Sequence, residues 1–126
     1  MSATILVVDD SDAVVALVQE VLEREGYTVV TARNGAEGLA QVVSHSPDLV
    51  VMDLKMPGID GLEMLRLLRG SPVTRLLPVI VLTGHMEVSG TVETWMSGAE
   101  SYLTKPVPPH SLRREVKRLL SSTPSE

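Results

Sequence analysis

Five polar residues of the types that handle phosphoryl groups and metal ions stand directly after short apolar runs. Asp9 and Asp10 follow the first run and Asp53 follows the third. Thr83 ends the fourth run, and Lys105 follows the fifth. Because the carboxyl ends of parallel strands form one edge of a sheet, we expect three carboxylates, a hydroxyl and an ammonium to converge there.

The charges of this group favour a bound Mg²⁺ ion. Three carboxylates a few ångströms apart repel one another, so either their pKa values rise or a cation neutralises them. Oxygen ligands with room for water suit Mg²⁺, while a lysine and a threonine suit phosphoryl oxygens. These are the parts needed to transfer a phosphoryl group to a carboxylate. The alternative is that these polar residues only cap the ends of strands. That explanation is reasonable for any one of them but not for all five together.

An alternation of apolar runs and helical spacing predicts the elements that position these residues. Strands are predicted over residues 4–8, 28–31, 49–52, 79–82 and 102–104, and helices over 11–25, 34–44, 60–69, 87–97 and 108–120. The first four strand runs are continuously apolar, which is typical of strands buried on both faces. Repeated βαβ units predict an α/β domain, doubly wound around a parallel sheet.

Length and composition predict a single soluble, cytoplasmic domain over residues 1–126. Its core is expected over about 4–120, with 121–126 as a frayed tail. No apolar run approaches the ~18 residues of a membrane span. The net charge of −5 argues against direct binding of nucleic acid. The absence of cysteine excludes disulfides and iron–sulfur clusters.

The segments around the polar residues resemble those of response regulator receiver domains. The matching segments are VVDDS at 7–11, VMDLKMPGIDG at 51–61, VLTG at 81–84 and GAESYLTKP at 98–106. The resemblance extends from about residue 4 to 120. It implies a flavodoxin-like sheet of five strands in the order 2-1-3-4-5 with five helices. It also implies a switch in two-component signalling, such as a chemotaxis-type single-domain regulator or a phosphorelay intermediate.

The resemblance implies a role for each polar residue of the group. Asp53 resembles the phosphoacceptor, which takes its phosphoryl group from a histidine kinase or a histidine phosphotransfer protein. Asp9 and Asp10 resemble the acidic pair that holds Mg²⁺, with Asp53 and the backbone carbonyl of Lys55 as further ligands. Lys105 resembles the lysine that pairs with a phosphoryl oxygen. The peptide bond that follows it, to a proline, is expected to be cis.

Further residues are implied in switching, tuning and partner binding. Thr83 is expected to donate its hydroxyl to the phosphoryl group, and Tyr102 to turn inward when Thr83 moves. Lys55 and His85 flank the pocket and either influence the lifetime of the phosphoryl group or point to solvent. Trp95, if it does not lie in the core, joins Tyr102 on a face that binds a downstream protein. The fourth helix, fifth strand and fifth helix form that face.

Other functions remain as alternatives to a stand-alone switch. The chain could be a receiver domain cut from a hybrid kinase or a larger regulator. A phosphatase of the haloacid-dehalogenase type also uses an Asp nucleophile with Mg²⁺, but it needs a second Asp where this chain has Lys55. A flavodoxin-like electron carrier would need flavin-stacking rings, and this chain has no Phe. An inactive scaffold is disfavoured because all five pocket residues are present. Beyond its own phosphorylation and slow autodephosphorylation, the chain is not expected to be an enzyme.

Overall fold

The computed structural model describes residues 2–54, 61–84 and 98–122. In chain order the elements are β1 (Thr4–Val8), α1 (Asp12–Arg24), β2 (Thr28–Ala32), α2 (Gly35–His45), β3 (Leu49–Asp53), α3 (Gly61–Arg69), β4 (Val79–Thr83), β5 (Ser101–Thr104) and α4 (Pro109–Ser122). The fourth helix predicted from the sequence, residues 87–97, lies outside the described residues. The label α4 therefore denotes the C-terminal helix.

The five strands form one parallel sheet in the order β2-β1-β3-β4-β5, which confirms the predicted topology. Val8 of β1 lies beside Met52 of β3, and Met52 lies beside Val81 of β4. The residues that follow Val8 and Met52 are Asp9 and Asp53. The register therefore places these two aspartates at the same level on neighbouring strands.

Each face of the sheet carries its own apolar core, as a doubly wound sheet requires. On one face the sheet packs against α1 and α4, through residues that include Ile5, Val51, Leu82, Leu22 and Val116. On the other face it packs against α2 and α3, through residues that include Leu6, Met52, Val81, Val42 and Met64. The two cores hold the strands fixed between helix layers, so the carboxyl edge of the sheet is a rigid platform.

Capping residues fix the ends of α1 and the start of α2. Ser11 caps α1 by accepting a hydrogen bond from the Val14 N–H at 3.3 Å. Gly26, with φ +95°, ends the α1 segment in a left-handed conformation that glycine adopts at low cost. Asn34 caps α2 by accepting a hydrogen bond from the Glu37 N–H at 2.8 Å.

Two details of the prediction are wrong. Strand β2 is not buried on both faces: Thr28 is exposed and Ala32 alone is fully buried. It is an outer strand of the sheet, so the apolar side chains along it are only half covered. Helix α4 continues to Ser122, two residues beyond its predicted end at residue 120.

Candidate functional site

Asp9, Asp10 and Asp53 form an acidic cluster at the carboxyl edge of the sheet. One carboxylate oxygen from each of the three lies within 4.8 Å of the others. Asp9 is fully buried, Asp53 is 7% exposed, and Asp10 is open to solvent. Buried carboxylates this close need a compensating cation. Because Asp10 is exposed, an ion could reach the cluster from solvent and keep part of its water shell.

Lys105 supplies one positive charge to this cluster. Its Nζ lies 2.9 Å from Asp9 Oδ2 and donates a hydrogen bond to Asp53 Oδ2 at 3.2 Å. Burial by itself lowers the pKa of the ammonium, but the carboxylates of Asp9 and Asp53 outweigh it and raise the pKa above its usual value. The ammonium is therefore charged at neutral pH. Three carboxylates and one ammonium leave a formal charge of −2, which a divalent cation would match.

The backbone around Lys105 holds its side chain toward the cluster. The Lys105 N–H donates to the Thr83 carbonyl oxygen at 2.8 Å, which ties the end of β5 to the end of β4. The Lys105–Pro106 peptide bond is cis, as predicted. Thr83 and Lys105 therefore stand beside each other at the sheet edge that carries Asp53.

Two buried oxygen atoms of the site accept or donate no hydrogen bond within the part of the chain that the structure describes. They are Thr83 Oγ1 and Asp9 Oδ2, but Asp9 Oδ2 has the Lys105 ammonium at 2.9 Å as a charged partner. Buried polar atoms nearly always have a hydrogen-bond partner, and a bound ligand is one way to supply the partner that Thr83 Oγ1 lacks among the described residues. A hydroxyl suits a phosphoryl oxygen and a carboxylate oxygen suits Mg²⁺. The residues present therefore fit both groups.

Short-range contacts hold the backbone next to Asp9 and Asp53. Asp9 Oδ1 accepts from the Ser11 N–H at 2.9 Å, and the Asp9 N–H donates to the Ala32 carbonyl at 3.1 Å. Gly61 lies against the backbone just after the phosphoacceptor candidate, with its N–H bonded to Leu54 O at 2.8 Å. A Cβ on Gly61 would overlap Asp53 O and lie 2.7 Å from Leu54 Cα. Gly61 thus allows the start of α3 to lie close to the end of β3.

Tyr102 lies on β5 on the same face of the sheet as Thr83. The register pairs Thr83 with Thr104 and Val81 with Tyr102, and paired residues of parallel strands point to the same side. The ring packs, half buried, against the core on the α2 and α3 side. Burial is the main reason that the pKa of its hydroxyl is raised. Its predicted role as a switch stays a prediction.

Three residues singled out in the sequence lie outside the described residues. They are Lys55, whose carbonyl is a predicted Mg²⁺ ligand, His85, a predicted tuning residue, and Trp95, a predicted partner contact. Their predicted roles stay untested.

Two ion pairs were not predicted, and they lie at opposite edges of the sheet. Arg69, at the end of α3, donates to Glu100 Oε1 at 2.9 Å and to Gly98 O at 3.0 Å. Glu100 Oε1 also accepts from the Val79 N–H at 2.8 Å, so this group ties α3 to the starts of β4 and β5. Asp12, in the first turn of α1, pairs with Arg33 at 2.8 Å at the carboxyl edge of the sheet.

Comparison with known proteins identifies the family. Residues 5–117 match the model of the response regulator receiver domain. The chain is 39% identical over 120 residues to the alkaline phosphatase synthesis transcriptional regulatory protein PhoP of Bacillus subtilis, an alignment that covers 95% of this chain and 49% of PhoP. The chain belongs to the response regulator receiver domain family of two-component systems. It spans about half the length of that relative.

Solved structures show the same fold. The signal receiver domain of a signal transduction histidine kinase from Syntrophus aciditrophicus superposes with a TM-score of 0.90 at 36% identity, covering 99% of this chain and 97% of that one. The chemotaxis response regulator CheY4 of Vibrio cholerae superposes with a TM-score of 0.88 at 30% identity, covering 94% and 99%. Among the described helices of this chain, none has the length and apolar character needed to cross a membrane.

Proposed function

We propose that this domain is a phosphorylation-dependent signalling switch. It accepts a phosphoryl group on Asp53 from a histidine kinase or histidine phosphotransfer protein, in the presence of Mg²⁺, and then binds a downstream protein. The observation that carries the proposal is the convergence of three carboxylates and an ammonium beside the hydroxyl of Thr83, which has no hydrogen-bond partner among the described residues.

Asp9, Asp10 and Asp53 are the residues that would hold Mg²⁺, with the Lys55 carbonyl as a further proposed ligand. A bound Mg²⁺ would neutralise charge on the phosphoryl oxygens and orient the donor. The cluster has the oxygen ligands that this ion prefers, and the exposed position of Asp10 leaves room for water.

Phosphorylation is an in-line displacement at phosphorus. A carboxylate oxygen of Asp53 forms the new P–O bond as the P–N bond to the donor imidazole breaks, and the electron pair of that bond stays on the ring nitrogen. The Lys105 ammonium pairs with a phosphoryl oxygen, and Thr83 Oγ1 donates a hydrogen bond to another. Attack by water on the acyl phosphate later restores the carboxylate and releases inorganic phosphate. No turnover of any other substrate is proposed.

The signal passes from Thr83 to Tyr102. A hydrogen bond from Thr83 Oγ1 to the phosphoryl group draws this side chain toward Asp53 and changes the space beside the half-buried ring of Tyr102. The partner face would comprise β5, α4 and residues 87–97, which include Trp95. A ligand can shift a protein between two conformations only if it makes different contacts in each of them. Here the phosphoryl group would make a contact with Thr83 in one conformation that is absent in the other.

Nuclear magnetic resonance of the tyrosine rings tests this proposal. Acetyl phosphate with Mg²⁺ is expected to shift the Tyr102 ring signals of the parent protein and to leave those of Asp53→Asn unchanged. Thr83→Ala is expected to gain the phosphoryl group without the Tyr102 shift, because the link between them is lost. Tyr27, which precedes β2 at the opposite end of the sheet, is the internal control. An equal Tyr102 shift in Asp53→Asn would contradict the proposal.

A further inference from the structure

Arg33 stands at the rim of the acidic cluster, at the same edge of the sheet. Val8 pairs with both Ala32 and Met52, so the next residues along these three strands, Asp9, Arg33 and Asp53, lie at one level. Neighbouring strands are about 4.8 Å apart, so the backbones of residues 33 and 53 are separated by roughly 10 Å.

The backbone of Arg33 is fixed by a hydrogen bond, whereas only part of its guanidinium donates hydrogen bonds. Its N–H donates to Glu37 Oε1 at 2.7 Å, within the capping contacts of α2. Its side chain donates through Nε to Asp12 Oδ1 at 2.8 Å. Within the described ranges its two terminal nitrogens have no hydrogen-bond partner, and the side chain is 42% exposed.

The Asp12–Arg33 pair is neutral as a unit, and it is exposed enough to open. The side chain of Asp12 is 89% exposed, so the ion pair holds the guanidinium weakly. Separately, each residue places one charge near a cluster whose formal charge is −2. A positive charge there repels a metal cation and attracts a phosphodonor anion, and a negative charge does the reverse.

We propose that Arg33 and Asp12 form an opposed pair of charges that sets the balance between Mg²⁺ binding and capture of a dianionic phosphodonor. The inference rests on the proposed function of the site. Arg33 favours the approach of the phosphodonor and weakens the binding of Mg²⁺, and Asp12 offsets both effects. Neither residue touches the reacting atoms; they act on the site through its electrostatic potential.

This mechanism predicts that each single substitution changes Mg²⁺ affinity and the rate of phosphorylation in opposite directions. At low ionic strength Arg33→Ala is expected to lower the Kd for Mg²⁺ about threefold and to slow phosphorylation by acetyl phosphate by a similar factor. Asp12→Asn is expected to raise the Kd and speed phosphorylation. The double variant is expected to return both close to the parent values. Mg²⁺ binding is measured from amide shifts, without phosphodonor, and phosphorylation from intact mass.

A second ion pair on α1 provides a matched control. Arg24 and Glu20 are also exposed and 2.9 Å apart, but Arg24 lies twelve residues further along the helix than Asp12, or about 18 Å. Arg24→Ala and Glu20→Gln are expected to change neither quantity. High salt is expected to remove the effects of Arg33→Ala and Asp12→Asn.

The outcomes separate this inference from the function on which it rests. If Arg33→Ala and Asp12→Asn both weaken Mg²⁺ binding and both slow phosphorylation, the pair only shapes the loop and the inference is overturned. Unchanged values in both variants overturn it as well. If the parent itself binds no Mg²⁺ at Asp9, Asp10 and Asp53, the proposed function fails, whatever the variants do.

Discussion

Lys105→Met is expected to slow phosphorylation of Asp53 by at least about a hundredfold, the usual cost of removing one group that stabilises transferring charge. The methionine keeps the length of the side chain but cannot pair with a phosphoryl oxygen. At the same time the formal charge of the cluster changes from −2 to −3. Mg²⁺ is therefore expected to bind roughly fivefold more tightly, because a repelling cation a few ångströms away is gone. Intact mass against time gives the rate, and a Mg²⁺ titration gives the affinity.

Lys105→Arg is the matched control for charge. It keeps the positive charge, so its affinity for Mg²⁺ is expected to stay close to that of the parent. Its longer, planar group does not reproduce the contacts of Nζ with Asp9 and Asp53, so phosphorylation is expected to be slower than in the parent. Phosphorylation of Lys105→Met at the parent's rate would show that this ammonium has no part in the transfer.

Gly61→Ala is expected to lower the free energy of unfolding by about 3 kcal/mol, near the upper end for an overpacked site. A Cβ at this position meets backbone atoms of Asp53 and Leu54, which cannot turn aside as a flexible side chain would. The backbone after β3 must therefore move, and with it the carboxylate of Asp53. Urea denaturation measures the stability, and the Mg²⁺ titration shows whether the acidic cluster has been displaced.

Gly70→Ala provides the comparison at the other end of α3. Its nearest neighbour to an added Cβ is Arg66 O at 3.4 Å, an ordinary contact. Stability is expected to stay the same or to rise by up to about 1 kcal/mol, because alanine restricts the unfolded chain. If Gly61→Ala were as stable as Gly70→Ala and bound Mg²⁺ like the parent, the close approach at Gly61 would not fix the pocket.

The positions of Asp9, Asp53 and Thr83 could be predicted because their placement follows from a simple rule. Continuous apolar runs predict parallel strands, and parallel strands end at one edge of the sheet. The residue after each run therefore reaches that edge whatever the details of packing. Asp10 follows from the same rule. The residue types indicate a metal and phosphoryl site, whereas the individual role of each of these four residues came from the resemblance to receiver domains.

The two long-range ion pairs of the structure, one at each edge of the sheet, could not be predicted. Asp12 and Arg33 are 21 residues apart, and Arg69 and Glu100 are 31 residues apart. Pairs of exposed charges at such sequence separations can be identified only once the fold is known, because charged residues on a surface leave no periodic pattern in the sequence. The prediction that β2 is buried on both faces was wrong for a related reason. An apolar run predicts a strand, but the position of that strand at the edge of the sheet decides how much of it is covered.

The most direct test of the account is the intact mass of the protein after incubation with acetyl phosphate, with and without Mg²⁺. The parent is expected to gain one phosphoryl group only when Mg²⁺ is present, and Asp53→Asn is expected to gain none. A gain that survives in Asp53→Asn, or that needs no Mg²⁺, would contradict the assignment of Asp53 as the metal-dependent phosphoacceptor.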